Sequence, residues 1–272
     1  MYKVRKVLNN NAILVIDLDN NQEVIFIGTG VGFGKKINML VSIDENNCQR
    51  YVQEKGVDVT KQVSKNDAIY LEIASKIIEE AKKRFSSFDT NILITLSDHI
   101  AFAISRINAN LVINNPFKND IKLLFAEEYE VAKISAEIIY KMLNIEINED
   151  EISYITLHLH SARSDTKVAD SLMFATLILE SMEEIEKSLN IKIDYESLSY
   201  SRLLTHLKYL LLRCNMKERL TIDMDEFTKT NFPVSYGLAK RIIRKFENQL
   251  KVIIDDSEIG YLAIHIERIC TS

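Results

Sequence analysis

Residues 96–158 and 203–265 align without a gap at an offset of 107, with 15 identities in 63 positions. The identities include Leu96/Leu203, Arg106/Arg213, Tyr129/Tyr236, Ala132/Ala239, Lys133/Lys240 and Tyr154/Tyr261. This restricts the fold more than any other feature, because the back of the chain has to be one domain built twice. Apolar residues there recur at helical spacing, starting with Ile69, Tyr70, Ile73, Ala74, Ile77, Ile78 and Ala81 behind the cap candidates Asn66 and Asp67. Glycine is scarce in this region, and Pro116 and Pro233 fall in connecting stretches, where a missing N–H does least harm. The repeated unit reads as an all-α bundle.

Four of the five histidines occupy equivalent positions in the two copies, as His99/His206 and His158/His265; only His160 lacks a counterpart. The first histidine of each copy precedes an arginine by seven residues, Arg106 or Arg213, which puts both on one helix face. The second ends the pattern Glu-Ile-x-Tyr-x-x-x-His, as Glu151, Ile152, Tyr154, His158 and as Glu258, Ile259, Tyr261, His265. Polar starts precede both patterns, Asn148-Glu149-Asp150 and Asp255-Asp256-Ser257, and suit the positive end of a helix.

Three uses of these rings are open. They are packed core histidines, metal ligands, or acceptors of a modification. Metal binding draws on His158-x-His160, but on a helix those side chains diverge, whereas chelation favours i and i+4. No Gly-x-Ser-x-Gly motif or phosphate-cradling glycine loop before a helix supports an enzyme. A neutral imidazole is a good nucleophile near pH 7, and a phosphoryl group on it would add roughly −1.5 to −2 charges. No cofactor or metal is expected, and a histidine-rich metal-dependent hydrolase is the alternative.

The front is built differently. Five of the seven glycines lie within the first 56 residues, and residues 2–8, 12–18, 23–27, 38–43 and 48–52 read as short strands. Asp19-Asn20-Asn21-Gln22 suits a hairpin turn. A free-standing sheet of about 55 residues is marginal, so a second copy is expected to bury its apolar face. Val57–Ser64 is a linker candidate.

The net charge of −5 argues against a chain that coats nucleic acid everywhere, while leaving room for one local contact surface. No run of 18 apolar residues occurs, so no membrane insertion is expected. Cys48, Cys214 and Cys270 form no Cys-x-x-Cys pair, which suits a reducing cytoplasm.

Taken jointly, these motifs resemble the BglG/SacY family of bacterial transcription antiterminators over the whole chain. The front motifs are Lys6-Val7-Leu8-Asn9-Asn10-Asn11-Ala12 and Gly28-Thr29-Gly30-Val31-Gly32-Phe33-Gly34-Lys35-Lys36; the rear ones are Ser97-Asp98-His99-Ile100 and the two Glu-Ile-x-Tyr-x-x-x-His stretches. The resemblance implies a multidomain α+β fold: a small antiparallel sheet domain (1–56) and two homologous helical PTS regulation domains (65–170 and 171–272). It implies that the front is a homodimer gripping a hairpin in nascent messenger RNA, through Lys6, Asn11, Gly30 and Phe33, with Asn9, Asn10, Thr29 and Lys35 beside them. For each front residue a structural role stands next to this one, Phe33 in a core and Asn9 to Asn11 in a turn. Thr29 fills a slot that is often Lys or Arg in relatives, which implies a shallower salt dependence. The resemblance further implies phosphorylation of His99, His158, His206 and His265, with HPr and a sugar-specific permease as donors. Arg106 and Arg213 are then candidates to pair with the phosphates. DNA-binding relatives with the same repeats begin with helix-turn-helix domains, unlike this strand-rich front.

Overall fold

A computed structural model of the chain describes residues 1–52, 68–111, 113–164, 168–195, 197–216 and 224–270. The linker candidate 57–64 and the cap candidates Asn66 and Asp67 lie outside these residues. Two compact units result, Met1–Leu172 and Met173–Ser272.

The front forms a five-stranded sheet from β1 (Tyr2–Asn9), β2 (Ala12–Asp17), β3 (Gln22–Ile27), β4 (Leu40–Val41) and β5 (Gln49–Val52). The strand order is β4-β1-β2-β3-β5, and every pairing is antiparallel. The expected hairpin closes with Asn21 in the left-handed region (φ 56) and its N–H donating to Asp17 O at 2.8 Å. Asparagine tolerates that conformation. The strand expected over 38–43 shrinks to two residues. Asn38 at φ 69 leaves the extended region, yet Asn38 N still donates to Val4 O at 2.7 Å, and Val4 N to Met39 O at 2.9 Å.

Successive side chains of a strand point to opposite faces, and both faces of β2 are buried. Ile13 and Val15 join Tyr2, Val4, Val24, Phe26 and Val41 in one cluster. Ala12 and Leu14 join Leu8, Ile25, Ile27 and Tyr51 in another, which continues into the helix α1 (Ala68–Arg84) through Leu71, Ala74 and Ile78. Each fully buried Leu or Ile stabilises this junction by about 1.5–3 kcal/mol. Across it Tyr51 Oη and Ser75 Oγ lie 2.8 Å apart, and burial pushes the Tyr51 phenol up to about 12. The sheet face of Ala12, Leu14 and Ile25 is thus covered by α1 of the same chain, while that of Ile13, Val15 and Phe26 packs in a separate cluster. Part of the apolar surface for which a second copy was expected is therefore buried within the chain.

After α1 and a short 3-10 turn (Thr90–Ile92), the first bundle continues with α2 (Leu93–Asn108), α3 (Lys118–Leu124), α4 (Ala126–Leu143) and α5 (Glu149–Ser164). The second is made of α6 (Val168–Leu189), α7 (Leu198–Met216), α8 (Asp225–Asn231), α9 (Pro233–Leu250) and α10 (Ser257–Cys270). The offset of 107 holds in the backbone. It relates α3 to α8 and α4 to α9 at both ends, and it relates the left-handed residues that stop α4 and α9, Asn144 (φ 55) and Lys251 (φ 54). The polar stretches expected to start helices do so: Asn148 Oδ1 accepts from Glu151 N at 3.0 Å, and Asp255 Oδ1 from Ser257 N at 3.1 Å.

The tightest approach to a glycine is at Gly32. A Cβ on Gly32 would lie 2.1 Å from Asn9 O. Gly32→Ala is expected to cost about 1–3 kcal/mol, read as a lower urea midpoint. Phe33→Ala, at a side chain 72% exposed, should stay within about 0.5 kcal/mol of the parent.

Candidate functional site

The two front motifs meet in space. Gly28 N donates to Asn11 O (2.8 Å), Gly32 N to Asn10 O (2.9 Å) and Gly30 N to Asn11 Oδ1 (3.0 Å), while Asn11 N donates to Asn9 Oδ1 at 2.7 Å. Gly30 sits at φ 74, where a side chain would be strained. A turn closed by Phe33 N to Gly30 O, at 3.0 Å, leaves the Phe33 ring in solvent, so this ring is not a core residue. Asn10 and Thr29 are exposed, and Lys35 is half-buried just past the turn, its N–H donating to Gly32 O at 3.2 Å. Lys6 lies on β1 opposite Leu14 and is half-buried. Asparagine amides, an exposed ring and glycine backbone on one face can read bases and stack on them.

A residue that the sequence did not single out closes part of this face. Glu72 of α1 accepts from Asn9 Nδ2 at 2.6 Å and from Asn11 Nδ2 at 3.3 Å. Together with Ser75, Lys76 and Glu79 of α1 it lines a cleft of about 390 Å³ opposite Asn11 and Thr29. Nothing in its sequence setting marks it, because an acid on a helix is ordinarily a solvated one.

The second site is built twice. In the first bundle the rings of His99 (α2) and His158 (α5) lie 5.0 Å apart, with Tyr154 at 5.9 Å from His99. In the second, His206 (α7) and His265 (α10) lie 4.8 Å apart, with Tyr261 at 6.4 Å from His206. The arginines seven residues on do not face open solvent, because each holds a glutamate. Arg106 Nη2 donates to Glu151 Oε1 and Oε2 at 2.7 and 3.0 Å. Arg213 Nε and Nη2 donate to Glu258 Oε1 and Oε2 at 2.6 and 2.8 Å. The same carboxylates reach the histidines, Glu151 Oε2 at 3.5 Å from His99 Nε2 and Glu258 Oε2 at 3.6 Å from His206 Nε2. The repeated Glu-Ile-x-Tyr pattern carried the signal for these acids, but not for the partner each would take.

Burial governs the electrostatics here. It pushes His158 down to about 3, with the neighbouring His99 adding to the effect, and His206 down to about 3, helped by His265 and Arg213. His265 falls to about 4 through burial, then Arg268 and Arg202. For Glu151 burial acts upward, but its contacts with His99 and Arg106 outweigh it and hold the carboxyl below its usual range.

His160 stands apart from these clusters. Its ring stacks on Phe125 at 3.9 Å, and its Nδ1 lies 3.1 Å from Glu128 Oε1. The second copy replaces the pair with Glu267 and Ser235, whose Oγ donates to Glu267 Oε2 at 2.7 Å. His158 and His160 therefore serve different neighbours, and among the described residues no group of three His, Cys, Asp or Glu side chains could hold a metal ion. Nor is any described helix long and apolar enough to cross a membrane.

A small sheet domain joined to twin bundles, each with a paired histidine, defines a regulatory RNA-binding protein of the antiterminator class. Residues 2–55 match the CAT RNA binding domain, and residues 72–162 and 179–269 each match the PRD domain. The chain belongs to the BglG family of transcription antiterminators. It is 33% identical over 274 residues to the GlcA/glcB genes antiterminator of Staphylococcus carnosus (strain TM300), covering 97% of this chain and 94% of that protein. It is 34% identical over 279 residues to Protein GlcT of Staphylococcus haemolyticus (strain JCSC1435), covering 97% and 95%. The crystal structure of GlcT CAT-PRDI superposes with a TM-score of 0.51 at 33% identity, over 60% of this chain and 98% of that one. The relatives are antiterminators and give no support to the hydrolase alternative.

The buried imidazoles set a pH dependence. His158, His206 and His265 have folded values of about 3, 3 and 4, against about 6.5 when unfolded. Below 6.5 the unfolded chain therefore binds more protons than the folded one, so their contribution is complete above that pH and is lost as pH falls. The melting temperature should drop between about pH 7 and about pH 5. His158→Gln should flatten the slope in that window, and an unchanged slope would count against a neutral buried ring.

Proposed function

We propose that the chain is a cytoplasmic, homodimeric, sugar-responsive antiterminator with no catalytic activity of its own. In this reading residues 1–56 bind a hairpin in nascent messenger RNA that excludes an overlapping terminator. Residues 65–170 and 171–272 are regulatory domains phosphorylated at His99, His158, His206 and His265, with HPr and a sugar-specific permease as donors. Phosphates on the first domain inhibit when the sugar is absent, and phosphates on the second activate when preferred sugars are lacking. What supports the regulatory half most strongly is the His-His-Glu-Arg arrangement built twice at one offset. Homodimerisation rests on family resemblance, with α1 covering one of the two apolar sheet faces within the chain.

The RNA half carries a competition. Asn9 and Asn11 each commit one of their two Nδ2–H donors to Glu72, so RNA has to compete for it. In a gel shift with the leader hairpin, Asn11→Ala and Phe33→Ala in the full chain should weaken binding by roughly tenfold, the loss of about 1.4 kcal/mol in base contact. Glu72→Gln should strengthen it several-fold, because it removes a competing anion. Failure of the intact dimer to bind any leader hairpin would sink the RNA assignment.

A further inference from the structure

Each histidine pair presents its nitrogens unequally, and in the same way in both copies. Among the described histidines, the buried ring nitrogens without a hydrogen-bond partner are Nε2 of His99 and His206, and Nδ1 of His158 and His265. On the first ring of each pair, the buried Nε2 faces a carboxylate oxygen, at 3.5 Å in one copy and 3.6 Å in the other. That carboxylate is fixed by its arginine, so it accepts and does not donate. The His99 side chain is 14% exposed, and since Nε2 contributes none of this, the open part of the ring lies elsewhere.

A neutral imidazole has one N–H and one lone pair. A lone pair on Nε2 would point at an anionic oxygen, whereas an Nε2–H would be attracted to it. The proton belongs on Nε2, which leaves the lone pair on Nδ1, the same division of labour by which a buried carboxylate sets the tautomer of a catalytic histidine. Nε2 is also enclosed and offers no path for a donor. We propose that Glu151 and Glu258 are positioning residues for phosphoryl acceptance, and that His99 and His206 take the phosphoryl group on Nδ1. This rests on the reading of these rings as acceptors.

The step balances. The Nδ1–P bond forms as the bond from phosphorus to the donor atom breaks, and its electron pair stays with the donor. The ring keeps its Nε2–H and becomes an imidazolium carrying a phosphoryl group. Glu151 or Glu258 then faces the new positive charge, which is how a fixed carboxylate assists attack by the distal nitrogen. The second ring of each pair has its Nδ1 buried instead, without a hydrogen-bond partner, so it does not share this activation.

The test uses the full chain, incubated with HPr charged from phosphoenolpyruvate, with and without membranes carrying the permease. Alkaline digestion then isolates the peptide bearing His99, and phosphorus NMR assigns the phosphohistidine isomer. The Nδ1 isomer is expected. Glu151→Gln, checked for folding by circular dichroism, should slow His99 phosphorylation by about tenfold or more, and Glu151→Asp should restore part of the rate. An Nε2 isomer on His99, or an unchanged rate in folded Glu151→Gln, overturns this proposal and leaves the acceptor reading standing. No phosphohistidine at His99 with either donor overturns both. If Glu151→Gln does not fold, the isomer on the parent chain still decides.

Discussion

A buried carboxylate locked by an arginine organises each helical half of this protein. Glu151 and Glu258 are almost fully enclosed, and each ties two helices, α2 to α5 and α7 to α10, at the level of the paired histidines. Taking such charges out of water is costly, so the pair is tolerable only because the geometry is close and repeated, and breaking it would cost about 3–5 kcal/mol. Two imidazole rings lie beside it, tilted to each other in the first bundle and stacked in the second. In the proposed reading, a phosphoryl group would add charge where the nearby cation is already committed to a glutamate. Moving a switch from 1:99 to 99:1 takes about 5.5 kcal/mol, which is the scale of one or two such buried contacts.

The helix α1 connects that chemistry to the front of the chain. One apolar core runs from the sheet residues Leu14 and Ile25 through Leu71 and Ile78 into Leu96, Ile100 and Ile155 of the first bundle. On its polar side the same helix holds Glu72 against Asn9 and Asn11. Any change in the first bundle that moves α1 therefore also moves a carboxylate on the face assigned to RNA. A shared rigid element of this kind gives coupling a physical route, without a chain of small displacements.

Much of the fold was legible in the sequence because its signals are local or periodic. The duplication, the all-helical rear, the 19–22 hairpin and the polar helix starts all follow from spacing and turn chemistry, and the structure shows each of them. The site was partly legible. The four histidines pair as 99 with 158 and 206 with 265, whereas the repeat matched only 99 with 206 and 158 with 265 as equivalents. Arg106 and Arg213 were marked as cations near the rings, but not as partners of Glu151 and Glu258, which lie 45 residues away in each case. The 38–43 strand was overcalled because Asn38 adopts a left-handed conformation that its apolar neighbours do not announce.

What the sequence by itself determined was the set of elements, their doubling and the residues able to carry chemistry, since periodicity and repeat offset need no knowledge of docking. The tertiary structure decided which groups meet. It set α1 against the sheet and so buried one of the two apolar sheet faces within the chain. It brought Glu72 to Asn9 across 63 residues of chain, and it aimed one nitrogen of each leading histidine at a carboxylate. Such contacts depend on how separate elements pack, because a side chain's partner is chosen by the position and angle of a whole helix and not by the residues next to it in the chain.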